Sequence, residues 1–277
     1  MDQAIAGLAA GTASTLIMHP LDLAKIQMQA SMNQDSKSLF QVFKSNIGSN
    51  GSIRSLYHGL SINVLGSAAS WGAYFCIYDF SKRVVMSMTP FNNGEISVLQ
   101  TLCSSGFAGC IVAALTNPIW VVKSRILSKR VNYTNPFFGF YDLIKNEGLR
   151  GCYAGFAPSL LGVSQGALQF MAYEKLKLWK QRRPTSLDYI FMSAASKVFA
   201  AVNMYPLLVI RTRLQVMRSP HRSIMNLVLQ TWRLQGILGF YKGFLPHLLR
   251  VVPQTCITFL VYEQVGMHFK TQSSKSQ

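Results

Sequence analysis

The sequence predicts an all-α membrane protein in which six transmembrane helices form three similar two-helix repeats. The 277 residues are 49% hydrophobic and only 13% charged, with a mean hydropathy of +0.22, whereas soluble domains contain about 25% charged residues. Several nearly uncharged stretches have the length that a membrane-spanning helix needs. Three sequence markers also recur three times in the same order, and they divide the chain into repeats at 1–90, 91–184 and 185–277.

The first marker in each repeat is a proline followed by a short apolar run and basic residues: PLDLAKIQ, PIWVVKSR and PLLVIRTR, which begin at Pro20, Pro118 and Pro206. An aromatic-x-glycine element follows downstream. An apolar stretch then closes each repeat with a tyrosine and an acid. The glycines are Gly59, Gly155 and Gly243, and the closing acids are Asp79, Glu174 and Glu263. Such a period indicates a repeat architecture.

The individual elements follow from these markers. The first span of each repeat is rich in glycine, alanine and serine, which allows helices to approach closely in lipid, and the second span is poor in charge. The predicted spans, in chain order, are 3–28, 60–82, 98–126, 156–178, 187–214 and 244–268. The loop inside each repeat contains an amphipathic stretch, clearest at 223–236, which predicts a short helix at the membrane surface.

The charge pattern narrows the class of function. The net charge is +17, but a soluble nucleic-acid binder would not carry these spans, so we expect anionic lipid and an anionic solute as partners. The sequence has no Ser/His/Asp set, metal-binding cluster, GxGxxG motif or P-loop, so we expect neither an enzyme nor a metal site. A proton leak or a membrane-organising protein is the alternative to a carrier.

The three markers together resemble the mitochondrial carrier family over essentially the whole chain. The resemblance implies a six-helix barrel with threefold pseudosymmetry in the inner mitochondrial membrane, both termini facing the intermembrane space. It implies alternating access around one central site and short helices on the matrix side. It further implies a monomer that binds cardiolipin at the aromatic-x-glycine elements, at Gly59, Gly155 and Gly243.

Longer stretches give a finer match. GLSINVLGSAASWGAYF, TNPIWVVKSR and GVSQGALQFMAYE resemble the branch of the family that carries FAD and folates. This branch neighbours carriers of NAD and pyrimidine nucleotides. The expected cargo is therefore an anionic, ring-bearing cofactor: FAD first, with folate or tetrahydrofolate, or NAD or a pyrimidine nucleotide, as alternatives. It is transported and is not a prosthetic group.

The proline markers are unbalanced in charge. Their acid positions hold Asp22, Trp120 and Leu208, and their base positions hold Lys25, Lys123 and Arg211. The resemblance implies that these positions meet as a matrix gate in which each acid pairs with the base of the next repeat, so only Asp22–Lys123 can form. It implies that Gln27 braces the gate from beneath. Lys25 and Arg211 are then expected to be free for a polyanionic solute.

Two further sets of residues are candidates for contact with the solute. Trp120 is interpreted either as a stacking face for a planar ring or as an aromatic anchor at the membrane boundary. Lys197, in the apolar stretch SAASKVFA, falls on the helix face of Leu208 and is predicted to face the cavity. The resemblance places the central contact points at Gly66, Leu161, Gly162 and Arg250.

The opposite end of the barrel is expected to carry a cytoplasmic gate. The tyrosine-acid-x-x-base markers match the family there, except that Gly266 replaces the third base. The resemblance therefore implies two ion pairs, Lys82–Glu174 and Lys177–Glu263.

Overall fold

A computed structural model describes residues 2–32, 38–50, 52–88, 98–129, 136–180, 186–217, 223–251 and 253. The first long helix of each repeat is α1 (Asp2–Ala30), α4 (Val98–Leu127) or α7 (Ser186–Val216). The second is α3 (Leu60–Met88) or α6 (Phe156–Trp179), and in the third repeat α9, which begins at 244 and is described to 251. The short helices are α2 (Leu39–Asn50), α5 (Pro136–Cys152) and α8 (Ile224–Gln235).

The short helices confirm the amphipathic stretches predicted inside the repeats. In α8, Leu227 and Thr231 lie one turn apart on a buried face, while Trp232 and Arg233 are exposed. The second short helix, α5, is interrupted at Gly148, whose φ of 62° is left-handed. Each short helix thus has one face against the long helices and one face outward.

Large apolar side chains cover much of the outside of the long helices. Trp179 is 85% exposed, and Leu178 and Phe191 are also exposed. Three helical segments in the described part of the chain are long and apolar enough to cross a membrane: Ile53–Val84, Ser104–Leu127 and Asp188–Val216. A soluble protein rarely exposes apolar surface on this scale, so the outer face is suited to lipid.

The densest apolar packing lies where α1, α3, α4 and α5 meet, at the end of the molecule that carries the proline markers. Ile26 from α1 and Ile62 from α3 are buried there against Val122 and Ile126 from α4 and Leu143 from α5. This cluster fixes the ends of the first two repeats against each other and so positions the charged residues of the markers above it.

The glycines of the aromatic-x-glycine elements bring the second helix of each repeat close to the next repeat. Gly59 and Gly155 have φ of +78° and +72°. A Cβ on Gly59 would lie 2.5 Å from Leu127 Cδ1, and one on Gly155 would lie 2.9 Å from the backbone oxygen of Arg211. Both positions therefore require glycine for backbone conformation and for space.

We expect Gly155→Ala to lower the free energy of unfolding by about 1–3 kcal/mol, because alanine is strained at this φ and would press on a backbone oxygen. Gly106→Ala is the control, since a Cβ there meets nothing within 4 Å in the middle of α4. Thermal unfolding of the purified protein measures both. Equal melting temperatures for the two variants would contradict the close approach at Gly155.

Candidate functional site

A cavity of about 430 Å³ lies between the long helices, with side chains from α1, α3, α4, α6, α7 and α9 in its wall. The proline markers supply most of its charge. The residues of the predicted site that line it are Asp22, Lys25, Trp120, Lys123, Gly162, Arg211 and Arg250. The structure therefore brings together, around one cavity, residues from all three repeats.

Asp22 is the centre of the charged cluster and is only 4% exposed. Its Oδ1 lies 2.7 Å from Arg250 Nη1, whereas its Oδ2 lies 3.9 Å from Lys123 Nζ. Asn63 Nδ2 also donates to Oδ2, at 3.4 Å. The sequence-derived pair with Lys123 is therefore present but long, and the shorter ion pair is with Arg250, which the resemblance had placed higher in the cavity.

The expectation that Lys25 is free is wrong. Its Nζ lies 3.0 Å from His247 Nδ1, and both side chains are buried. The imidazole accepts through Nδ1 and so takes the place of the carboxylate that Leu208 cannot supply. Arg211, the other base expected to be free, has no hydrogen-bond partner for its Nε in the part of the chain that the structure describes.

The indole ring of Trp120 contacts Lys123, the base of the same proline marker. Lys123 Nζ lies 4.7 Å from the centroid of the indole ring, within the range of a cation–π contact. The indole Nε1 donates to Thr116 Oγ1 at 3.2 Å, which fixes the ring on α4. Lys123 is thus shared between the Asp22 carboxylate and an aromatic face.

The predicted central contact points are only partly at the cavity. Gly162 lines it and has open space around its Cα, but Leu161 is 56% exposed and does not line it, since consecutive helical residues point about 100° apart. Gly66 also does not line it, because a Cβ there would lie 3.0 Å from Ile119 and 3.8 Å from the ring of Trp120. Leu161 and Gly66 are therefore corrected to an outward position and a helix contact.

Lys197 is half-buried on α7 and does not line the cavity itself. The prediction that it faces the cavity is therefore corrected to a position outside the cavity wall.

Below the charged cluster, the repeats are joined in a closed ring of three hydrogen bonds. In each case a side chain seven residues after the marker proline donates to a backbone oxygen of the next repeat. The bonds are Gln27 Nε2 to Leu127 O at 3.2 Å, Arg125 Nε to Gln215 O at 3.0 Å, and Arg213 Nε to Gln29 O at 3.0 Å. The predicted brace at Gln27 is one member of this ring, and it also bonds Asn46 of α2.

The ends of the second helices do not show the predicted cytoplasmic gate. Lys82 and Glu174 are both partly exposed, and no ion pair joins them in the described part of the chain. The second pair cannot be placed, because Glu263 lies outside the described residues, although Lys177 is described and exposed. The pairs Lys82–Glu174 and Lys177–Glu263 therefore stay predictions.

Sequence reasoning missed His247 and Asn63, two polar partners in the cluster. A signal was available: both stand four residues after the glycine of an aromatic-x-glycine element, where the second repeat has Ser159. A polar residue at the same register of three otherwise apolar helix starts indicates a common contact. In the structure that contact is with the charged residues of the proline markers.

Comparison with known proteins agrees with this arrangement. The family model described as mitochondrial carrier protein matches residues 1–89, 94–184 and 182–273, so three successive copies of it cover most of the chain. The chain belongs to the mitochondrial carrier family. Its relatives are transporters, so this protein is a carrier and not an enzyme, and the predicted fold of six spans in three repeats with short helices between them is confirmed.

Three curated relatives show the range of cargo. The mitochondrial FAD carrier protein of Saccharomyces cerevisiae is 33% identical over 95% of each chain. The chloroplastic folate transporter 1 of Arabidopsis thaliana is 36% identical over 95% of this chain and 94% of its own. The mitochondrial nicotinamide adenine dinucleotide transporter 2 of Arabidopsis thaliana is 30% identical over 96% of this chain and 78% of its own. The relatives are thus organelle carriers of anionic, ring-bearing cofactors.

Proposed function

We propose that this carrier moves FAD between the cytosol and the matrix across the inner mitochondrial membrane. The observation that supports this cargo is the charge of the cavity. Among the described residues that line it, Lys25, Lys123, Arg211 and Arg250 are cationic and Asp22 is acidic. The diphosphate of FAD needs such cations for charge-assisted hydrogen bonds, and Trp120 supplies an aromatic surface beside them.

Folate or tetrahydrofolate is the second candidate, because the folate relative is the more similar of the two in identity. A pteridine ring with a glutamate tail needs the same contacts as a flavin with phosphates: an aromatic side chain beside the ring and cations beside the anionic oxygens. NAD and pyrimidine nucleotides meet the same description.

A thermal-shift screen of the purified carrier separates these candidates. FAD, FMN, folates, NAD and pyrimidine nucleotides are compared, because a ligand that binds only the folded state raises the melting temperature. Uptake of the best ligand into proteoliposomes follows. Stabilisation by folates without stabilisation by FAD would refute the proposed cargo, and the absence of any uptake would favour a leak or a membrane-organising role.

Alternating access requires that the closed end of the barrel opens while the other end closes. We place the charged cluster at the matrix side, with both termini toward the intermembrane space. The pairs Lys82–Glu174 and Lys177–Glu263 then form when the matrix side opens. Exposed pairs of this kind contribute about 1 kcal/mol or less each, which suits a gate that must open in every cycle.

The carrier is proposed to act as a monomer with cardiolipin bound at the starts of the second helices. The first backbone N–H groups of a helix have no partner within it and favour anionic phosphates. The elements that would hold the lipid end at Gly59, Gly155 and Gly243.

Trp120 tests the aromatic part of the proposal. Trp120→Phe retains a ring beside Lys123 and should lose only about 1 kcal/mol of solute binding, from reduced aromatic contact. Trp120→Asp replaces the ring by a carboxylate that, by the pairing of each acid with the base of the next repeat, pairs with Arg211, and FAD uptake should fall at least tenfold. Uptake of labelled FAD by proteoliposomes at matched protein levels measures both.

The matched control is Trp179→Phe, since Trp179 stands at the exposed end of α6 away from the cavity. This variant should transport like the wild type. Equal losses for the Asp and Phe variants at position 120, or no loss for either, would make Trp120 a boundary anchor only.

A further inference from the structure

Three buried polar atoms without a hydrogen-bond partner belong to residues that line the cavity. They are Ser70 Oγ, Arg211 Nε and Gln215 Nε2, and one further such atom in the described chain, Asn117 Oδ1, belongs to a residue outside the cavity wall. Folded proteins leave few buried donors unpaired, because each one has lost its hydrogen bonds to water without replacing them. Their concentration around one cavity indicates groups that a ligand satisfies.

Gln215 is held so that its amide nitrogen remains available. Ser124 Oγ donates to Gln215 Oε1 at 2.8 Å, and the Gln215 side chain is almost completely buried, with 2% exposure. The oxygen of the amide is therefore occupied and fixed by α4, while both N–H groups of Nε2 are left to face other partners. The bond to Ser124 thus orients the amide nitrogen of Gln215 but leaves that nitrogen without a hydrogen-bond acceptor.

Arg211 lies one turn before Gln215 on α7, so the two side chains share a face of that helix. Both line the cavity, and Leu208, which stands at the acid position of this marker, also lines it. In the gate arrangement the acid for Arg211 would stand at position 120, where Trp120 offers no acceptor, and Arg211 Nε–H has no partner among the described residues. The two residues together present a cation and a neutral donor on the same face of one helix.

The first repeat contains a matched glutamine whose amide is hydrogen-bonded at both its nitrogen and its oxygen. Gln29 stands nine residues after its marker proline, as Gln215 does in the third repeat. Its Nε2 donates to Tyr205 Oη at 3.0 Å, and its Oε1 accepts from Thr212 Oγ1 at 2.9 Å. Gln29 lines the same cavity, yet its amide nitrogen has a partner, whereas that of Gln215 has none among the described residues.

We propose that Gln215 and Arg211 form a subsite for an anionic oxygen of the transported solute. The proposal rests on the proposed function, because it assigns one end of the cargo to this corner of the cavity. The oxygen belongs to a phosphate of a dinucleotide or to a carboxylate of a folate. Arg211 supplies a charged donor, and the amide of Gln215 supplies a second donor in an orientation set by Ser124.

The test compares Gln215→Met with Gln29→Met in the full-length carrier. Methionine is similar in length and removes the amide in both variants. Without ligand, Gln29→Met should lower the melting temperature because Tyr205 and Thr212 lose partners, whereas Gln215→Met should lower it less, because only Ser124 loses a partner and an unpaired buried donor is removed. With FAD, the order should reverse: Gln215→Met should raise the Kd about tenfold or more, and Gln29→Met should retain the stabilisation by FAD.

Ligands without the anionic group identify which end of the cargo is bound. Riboflavin lacks phosphate, so Gln215→Met should bind it as the wild type does, and a pterin without the benzoylglutamate tail, compared with folate, makes the same test for the carboxylates of a folate. Ser124→Ala releases the amide oxygen of Gln215 and should raise the Kd for FAD by an intermediate factor. Equal losses for FAD and riboflavin, or no loss for either, would overturn the subsite.

Inorganic pyrophosphate tests the subsite independently of the identity of the cargo. If no flavin or folate stabilises the wild type, the proposed cargo is refuted, and pyrophosphate then decides on the subsite alone. It should stabilise the wild type and stabilise Gln215→Met less. Equal stabilisation of the two proteins, or none of either, would show that Gln215 and Arg211 donate only to water and do not bind an anion.

Discussion

Asp22→Asn is expected to abolish or deregulate transport. Asp22 is buried, and it is the acidic residue among the described residues that line the cavity. The substitution removes the partner of Arg250 at 2.7 Å and of Lys123 at 3.9 Å, with Lys25 also close by. Removing one member of a buried ion pair typically costs about 3–5 kcal/mol, because the other charge stays buried without compensation.

The measurement is uptake of FAD into proteoliposomes together with the melting temperature in the absence of ligand. Asp188→Asn is the control, because the ion pair of Asp188 with Lys180 is partly exposed and such pairs contribute about 1 kcal/mol or less. The control should transport normally. Normal, coupled uptake by Asp22→Asn would show that the charged cluster does not depend on its carboxylate.

The long helices were predictable from the sequence because hydropathy and the repeated markers locate them independently. The predicted span 98–126 corresponds to Val98–Leu127, and 187–214 corresponds to Ser186–Val216. The prediction of 60–82 ended six residues before the helix does, at Met88. Lys82 and Arg83 indicate where an apolar span meets water, but a helix can continue past that boundary.

The partners inside the site were much less predictable. The surplus of cations follows from the residues at the marker positions alone. The bonds of Asp22 to Arg250 and of Lys25 to His247 join the first repeat to the last helix of the third. Only the packing of the helices decides which of several cations lies within 3 Å of a given carboxylate. That distance cannot be predicted from a single sequence.

Trp120 shows the same limit in another form. The sequence indicated an aromatic ring where an acid was expected, and it left a solute platform and a membrane anchor as alternatives. The structure places Lys123 over the ring, so the indole contacts the base of its own repeat, whereas an acid at this position would pair with Arg211 of the next repeat. That contact depends on a rotamer, which no spacing rule predicts.

The ring of hydrogen bonds beneath the cavity differs in strength between the three repeats. Arg125 is 1% exposed and donates through both Nη atoms to Glu147, at 2.7 Å each, besides its bond to Gln215 O. Arg213 is equally buried and bonds only neutral oxygens among its described partners, including Thr231 Oγ1 at 2.7 Å. Gln27 carries no charge at all. The ring bond between the first and second repeats is therefore expected to be the weakest of the three.

We expect Arg125→Gln to lower the free energy of unfolding by about 3–5 kcal/mol, because Glu147 would remain in a buried position without its cation. Gln27→Leu at the equivalent position of the first repeat should cost less, about 2–3 kcal/mol, because it removes only neutral hydrogen bonds, to Leu127 O and to Asn46. The double variant Arg125→Gln/Glu147→Gln should recover part of the loss, since both charges are removed together. Melting temperatures of the four proteins, wild type included, give these differences. A smaller loss for Arg125→Gln than for Gln27→Leu would mean that the ion pair with Glu147, which lies within the second repeat, does not hold Arg125 in place for its bond to Gln215 O of the third repeat.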